Sequence, residues 1–316
     1  MSQQPRLAVE SIPGKRPYQE DSVFADVLAD GRTLVAVADG MGGHAAGEVA
    51  SALALATLQL ALAEGKALGD AFRMANERVH GMAMEPGKQG MGTTMVAVLL
   101  TGAEFSVANV GDSRAYVVSA KGIRQLTDDH SFVAEAMKRG QSKADAMATP
   151  WRDALTRSIG TEPEVDVDVF GPFPVEPDSA FVICSDGLYK TLTDDDLREL
   201  FMQSRGPGGA AQAMVTAAFD GGSDDNITVA IAECGDVPRE KAPTTMVLSF
   251  DAPSSQPSTL VSEALPEEPT KPSSTAAAAA LPPSEEDAAA GGLPMTALAV
   301  VAVVLAAVVA ILVLVG

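Results

Sequence analysis

An α+β fold, layered rather than built of regular β-α-β alternation, follows from two features of the sequence. Short β-branched and apolar runs cluster, bounded by glycine or aspartate. Longer helical patterns come in pairs between those clusters. The strand candidates are Leu34–Ala38, Thr94–Leu100, Phe105–Asn109, Ala115–Ser119, Phe181–Cys184 and Thr228–Ala232. One helical pattern runs from Gly47 to about Ala63 and resumes from Leu68 to about Met82. A second pair covers Asp195 to about Ser204 and Gly209 to Phe219, and a shorter pattern follows Ser131 to about Gly140. No repeat with a period of roughly 20–50 residues interrupts this order.

The 316 residues divide into three parts. Residues 1–235 read as globular. Residues 236–292 are rich in Pro, Ser, Thr, Glu and Ala and hold too little apolar material to fold alone, so they read as a disordered tether. Thr244-Thr245 lies in that tether, open to reading as plain linker or as a phosphosite or docking point. Leu293–Val315 is almost purely Ala, Val and Leu, and about 20 such residues suffice to span a bilayer. The expectation is a C-terminal transmembrane helix. The first residues lack the apolar core of a signal peptide, which places the globular part on the cytoplasmic face of the cell membrane.

The formal net charge is −20, from 42 acidic and 22 basic residues, which excludes a nucleic-acid footprint. Cys184 and Cys234 stand far apart in apolar runs. They read as reduced core thiols, and Cys184 lacks the electropositive setting a phosphatase thiolate nucleophile needs.

The chemistry concentrates in acids at strand ends. Asp39-Gly40-Met41-Gly42-Gly43 closes the run Thr33–Ala38. Cys184-Ser185-Asp186-Gly187 follows Ala180–Ile183, and Asp224-Asp225 precedes Asn226 and the last strand. Glu20-Asp21 adds a fourth place. Each Asp-Gly alone reads equally as a turn or cap. Together they suggest an oxygen-ligated centre for hard divalent cations such as Mg²⁺ or Mn²⁺. Arg16 reads either as a surface ion pair or as a planar donor for a phosphoryl group. His44, His80 and His130 lack zinc-ligand spacing, and neither a GxxxxGK[ST] loop nor a Gly-x-Ser-x-Gly elbow occurs.

The ordered string of motifs resembles the metal-dependent protein phosphatases (the PPM family, protein phosphatase type 2C) in their bacterial form, over roughly residues 5–234. It runs Arg16-x-x-Gln-Glu20-Asp21, Asp39-Gly-Met-Gly-Gly-His44, Gly47-Glu48-x-Ala-Ser51, Gly92-Thr-Thr94 and Asn109-Val-Gly-Asp112-Ser-Arg114. It continues with Leu126-Thr-Asp-Asp129-His130-Ser131, Leu155-Thr-Arg-Ser-Ile-Gly160, Cys184-Ser-Asp186-Gly-Leu188 and Asp225-Asn226-Ile-Thr228. The resemblance implies a β-sandwich of two antiparallel sheets flanked by paired helices. It implies hydrolysis of phosphoserine and phosphothreonine in proteins by water activated at two Mn²⁺ or Mg²⁺ ions, without a phosphoenzyme.

By the same resemblance, Asp39 bridges the metals and Gly40 offers its carbonyl. Asp186 and Asp225 complete one metal shell, Glu20 sits on the other ion, and Asp21 supports the pair through water. Arg16 binds the substrate phosphate, and Asn226 positions the neighbouring ligand. Asp129, with Asp186, is expected to hold a third, weaker metal, while Asp112, Ser113 and Arg114 read as structural support. Two positions depart from the pattern: Gln19 replaces a common asparagine, and Met41 stands where some relatives place a general-acid histidine. The Ser131–Trp151 stretch matches a variable flap, whose Lys138, Arg139 and Lys143, with Arg152, read either as contacts for a phosphoprotein or as isolated surface bases. The implied partners are phosphoproteins, with a membrane Ser/Thr kinase as the natural counterpart. The alternative is a membrane-tethered pseudophosphatase acting as a binding module, whose signature would be loss of metal acids.

Overall fold

The computed structural model describes residues 4–42 and 45–239. Residues 240–292 of the expected tether, the membrane helix, Thr244-Thr245 and His44 lie outside these residues. In chain order the strands are β1 (Arg6–Ile12), β2 (Asp21–Val27), β3 (Thr33–Met41), β4 (Gly92–Thr93), β5 (Met95–Thr101) and β6 (Glu104–Val110). They continue as β7 (Arg114–Ser119), β8 (Gly122–Gln125), β9 (Asp168–Pro174), β10 (Ser179–Cys184) and β11 (Ile227–Cys234). The helices are α1 (Ala45–Ala63), α2 (Leu68–Ala83), α3 (Phe132–Lys138), α4 (Lys143–Met147), α5 (Asp186–Tyr189), α6 (Asp194–Gln203) and α7 (Gly206–Asp220).

The strands form two antiparallel sheets, ordered β1-β11-β10-β7-β8 and β2-β3-β5-β6-β9, with β4 paired beside β3. Three apolar layers hold them. Val35, Val37, Val96 and Val98 meet Phe181, Ile183, Ala230 and Ala232 between the sheets. The opposite faces of the same strands pack outward. Leu34, Ala36 and Ala38 meet Leu58 and Phe72 of the α1–α2 pair. Val182, Val229 and Ile231 meet Leu197, Phe201 and Met214 of the α6–α7 pair. Strands buried on both faces read as unbroken apolar runs, which is why these were legible in sequence. Phe72, Phe181 and Phe201 are fully buried, one in each layer, and burying such a side chain stabilises by about 2–3 kcal/mol. Among the described residues, only α1 is long and apolar enough to cross a membrane, and here it is a core helix of the layer that covers Leu34, Ala36 and Ala38.

Several elements were not anticipated. β1, β2, β8 and β9 lie at sheet edges and mix charged with apolar residues, so neither alternation nor a continuous run stands out. β9 also carries Gly171-Pro172 and a register shift opposite Phe105–Val107, features that blunt an exposed edge. The folded unit also runs past residue 235. Val237 is buried, and Arg239 donates to the fully buried Glu233 carboxylate while lying 3.8 Å over the Phe201 ring. Arg6 pairs with the other Glu233 oxygen at 3.0 Å, so this buried acid is held from both sides.

The topology brings one end of several strands to a common rim. Asp21 opens β2 directly opposite Asp39 of β3. Asp112 sits between β6 and β7, Asp186 follows β10, and Asp225 precedes β11.

Candidate metal centre

A cavity of about 530 Å³ opens at this rim, lined by Arg16, Glu20, Asp39, Gly40, Met41, Asp112, Asp186 and Asp225. Asp153, Leu155, Ser158 and Thr161 from the segment before β9 close its far side. Six of the residues expected to hold metal or phosphate, Arg16, Glu20, Asp39, Gly40, Asp186 and Asp225, therefore share one space.

Each acid is fixed through its backbone or its neighbours. The Asp39 amide donates to Thr94 Oγ1 at 3.0 Å, and its carbonyl accepts from the Thr94 amide and from Thr93 Oγ1, both at 2.8 Å. The Gly-Thr-Thr strand entry is thus the clamp on Asp39. Gly40 has no room for a side chain: a Cβ there would lie 2.2 Å from the Gly47 carbonyl oxygen. Gly187 is equally constrained, with a Cβ position 2.0 Å from the Asn226 carbonyl oxygen, so the turns bearing Asp186 and Asp225 touch backbone to backbone.

Two polar side chains tie the sheets together beneath the acids. Ser185 Oγ accepts from the Thr228 amide at 3.1 Å and donates to Asp21 Oδ2 at 2.8 Å. Asn226 Oδ1 accepts the Glu20 amide at 2.8 Å, while its Nδ2 donates to the carbonyls of Pro13 and Tyr18. Asn226 therefore organises the whole loop carrying Arg16 and Glu20. Arg16 donates from Nε to the Asp224 carbonyl at 2.9 Å and from Nη2 to Asp225 Oδ2 at 2.8 Å. Of the two readings of Arg16, the structure shows the ion pair, and the guanidinium lines the cavity wall.

Asp129 is not brought to this cavity. Arg114 grips both its oxygens, Nε to Oδ1 at 2.9 Å and Nη2 to Oδ2 at 2.7 Å, and Gln125 adds a third bond. The carboxylate that shares the cavity with Asp186 is instead Asp112, a position the family resemblance assigns to structural support. Asp112 lines the cavity, and Asp129 is not among its lining residues. Asp129 orients Arg114, whose guanidinium lies 3.6 Å over the Tyr189 ring, and the Tyr189 side chain hydrogen-bonds Asp112. Nearby, His130 Nδ1 accepts the Gly111 amide, so its proton sits on Nε2 and faces Asp168. Burial holds His130 below its ordinary pKa.

The electrostatics are those of too many acids in too little water. Burial, and then the charges of Asp186 and Asp225, push Asp21 up to about 7. Asp39 is raised well above the usual carboxylate range by burial and by Asp21 and Asp186. Burial and Asp186 push Asp112 up to about 7, and burial with Asp186 also raises Asp225. Desolvation and like charge both disfavour ionisation. Cys184, buried beneath the site, is pushed up to about 12, an inert thiol.

These residues fit divalent cations. The donors are all oxygen, the preference of Mg²⁺ and Mn²⁺. Asp21 Oδ1 and Asp186 Oδ1 are buried without a hydrogen-bond partner. Among the described residues no three acid, His or Cys side chains meet in a tight ligating cluster. The acids instead ring the cavity, with Asp186 turned toward Lys190 at 2.5 Å and Asp225 toward Arg16. Two cationic side chains thus occupy oxygens that metal ions would otherwise neutralise.

Comparison with known proteins agrees with this geometry. Residues 15–216 match the family model described as protein phosphatase 2C. The chain belongs to the protein phosphatase 2C family. It is 36% identical over 230 residues to the serine/threonine phosphatase stp of Listeria welshimeri, spanning 69% of this chain and 91% of that one. The structure is similar to the S. agalactiae serine/threonine phosphatase, with 30% identity and a TM-score of 0.67 over 75% of this chain and all of that one. It is also similar to the catalytic domain of the phosphatase PstP in complex with two manganese ions, with 33% identity and a TM-score of 0.62 over 74% of this phosphatase and 99% of PstP's chain.

A pH dependence follows. In the folded, metal-free phosphatase Asp21 and Asp112 keep their protons up to about 7, whereas unfolded they lose them near 3.8. Stability therefore falls as pH rises through that window, and Asp39 extends the fall upward. His130 acts oppositely, but only below its ordinary value of 6.5. The melting temperature in chelator is expected to drop on the order of 5–10 °C between pH 5.5 and 7.5, and Mn²⁺ to remove most of that drop. A chelated melting temperature that rises across this range would contradict the assignment.

Proposed function

We propose that this phosphatase hydrolyses phosphoserine and phosphothreonine in proteins, with two Mn²⁺ or Mg²⁺ ions held by Glu20, Asp39, the Gly40 carbonyl, Asp186 and Asp225. The observation that carries the reading is the oxygen-lined cavity in which burial and like charge raise the pKa of Asp39, Asp112 and Asp225, with Asp21 and Asp186 each keeping a buried, unpartnered oxygen. When bound, such ions activate water and neutralise charge on the phosphoryl oxygens. Asp21, behind the cavity and tied to Ser185, supports the metal acids. Arg16 uses only part of its donor fork on Asp224 and Asp225, and the remaining donors suit a phosphate. A third, weaker ion would find Asp112 beside Asp186, in place of the expected Asp129. Among the described residues, Met41 and not a histidine lines the wall next to Asp39.

All the acids of the matched motifs are retained, which favours an enzyme over a pseudophosphatase. Residues 1–240 are expected to release phosphate from a phosphothreonine peptide with Mn²⁺ and to stop with chelator. Asp39→Asn is expected to lower kcat/KM by at least about 100-fold, and Arg16→Ala by about 10- to 100-fold. Full activity in chelator, or in Asp39→Asn, would refute the reading.

The apolar run Leu293–Val315 and the two free cysteines support a cytoplasmic enzyme anchored in the cell membrane. There it would oppose a membrane Ser/Thr kinase. An N-terminal tag should stay protected from external protease in intact cells, and its cleavage would rule this topology out.

A further inference from the structure

The cavity's acids carry a cation of the chain's own. Lys190 lies four residues after Asp186, and its Nζ sits 2.5 Å from Asp186 Oδ2. The two ends of this pair differ in exposure. The Asp186 side chain is 12% exposed and the Lys190 side chain 48%, so the ammonium reaches a nearly buried acid from the solvent side. The lysine stem can swing into water without disturbing the core. Asp112 and Asp153 add further negative charge around the ammonium.

The Arg16–Asp225 pair is built differently. Arg16 is also tied to the Asp224 carbonyl, so it is anchored to the wall it lines. The bond to Asp186 draws the Lys190 ammonium toward a cavity lined by acids. An ammonium and a divalent cation seek the same carboxylate lone pairs and repel each other. A cation that takes Asp186 Oδ2 must therefore expel Lys190 Nζ.

We propose that Lys190 is a built-in competitor for divalent cation at the Asp112–Asp186 side of the cavity, and that it sets how much free ion is needed to fill that side. The inference rests on the metal centre proposed above and assigns a role to a residue outside its ligands. It implies that this side fills last, after the positions anchored by Asp39. It also implies that Lys190 supplies the missing counter-charge when ion is scarce.

The test is a Mn²⁺ titration of the full-length protein at pH 7.5, following free Mn²⁺ by electron paramagnetic resonance. Lys190→Met is expected to tighten the weakest class of bound Mn²⁺ by about 2- to 5-fold, the scale of a partly exposed ion pair. Lys190→Arg keeps a cation and is expected to stay near wild type. Melting curves in chelator supply a second readout: Lys190→Met should melt below wild type and gain more from added Mn²⁺. A lysine with a purely structural role would move affinity the other way, because a loosened site binds ion less well. Unchanged or weakened Mn²⁺ binding in Lys190→Met, with binding intact in wild type, overturns this inference and leaves the metal centre standing. Absence of Mn²⁺ binding in wild type overturns both.

Discussion

Mutual repulsion among carboxylates at one rim of the sandwich is the constraint on which the rest of the structure depends. Asp21, Asp39, Asp112, Asp186 and Asp225 come from different strand ends, and burial and like charge raise the pKa of Asp21, Asp39, Asp112 and Asp225. Left to themselves they would spread apart or take up protons. The fold prevents the first by locking their backbones. Thr93 and Thr94 clamp Asp39, Ser185 ties Asp21 to β11, and Asn226 binds the Arg16–Glu20 loop to the last strand. The energy stored in this crowding is released when a cation enters, so folding stability and ion binding are linked.

The helical layers matter because they keep that rim rigid. Each sheet is buried on both faces, once against the other sheet and once against a helix pair. A strand held on both sides cannot shift register without exposing its apolar residues. The acid at its end is then fixed as firmly as the core beneath it.

Much of this was legible in sequence, and the reasons are physical. Leu34–Ala38 and Thr228–Ala232 are doubly buried, so their apolar runs stand out. Asp39, Asp186 and Asp225 stand out because each marks the end of such a run, and at two of them glycine permits close backbone contact. Edge strands were not legible. Arg6–Ile12 and Asp168–Pro174 are half solvated, and their composition reflects two environments at once. The choice between Asp112 and Asp129 was not legible either. Both lie near β7 in polar turns, and only the three-dimensional path shows that Arg114 takes both oxygens of Asp129 and leaves Asp112 facing Asp186. Lys190 was missed because an i,i+4 lysine after an acid is common on any helix. Its meaning comes from the buried side of that acid.

The most direct measurement is anomalous diffraction from a crystal of residues 1–240 grown with Mn²⁺. The central claim predicts two strong peaks in the cavity, with Asp39 between them, the Gly40 carbonyl beside one, and Asp186 and Asp225 on the other. A further, weaker peak would lie against Asp112 rather than Asp129. Peaks confined to the surface, or an Asp39 carboxylate with no metal beside it, would contradict it.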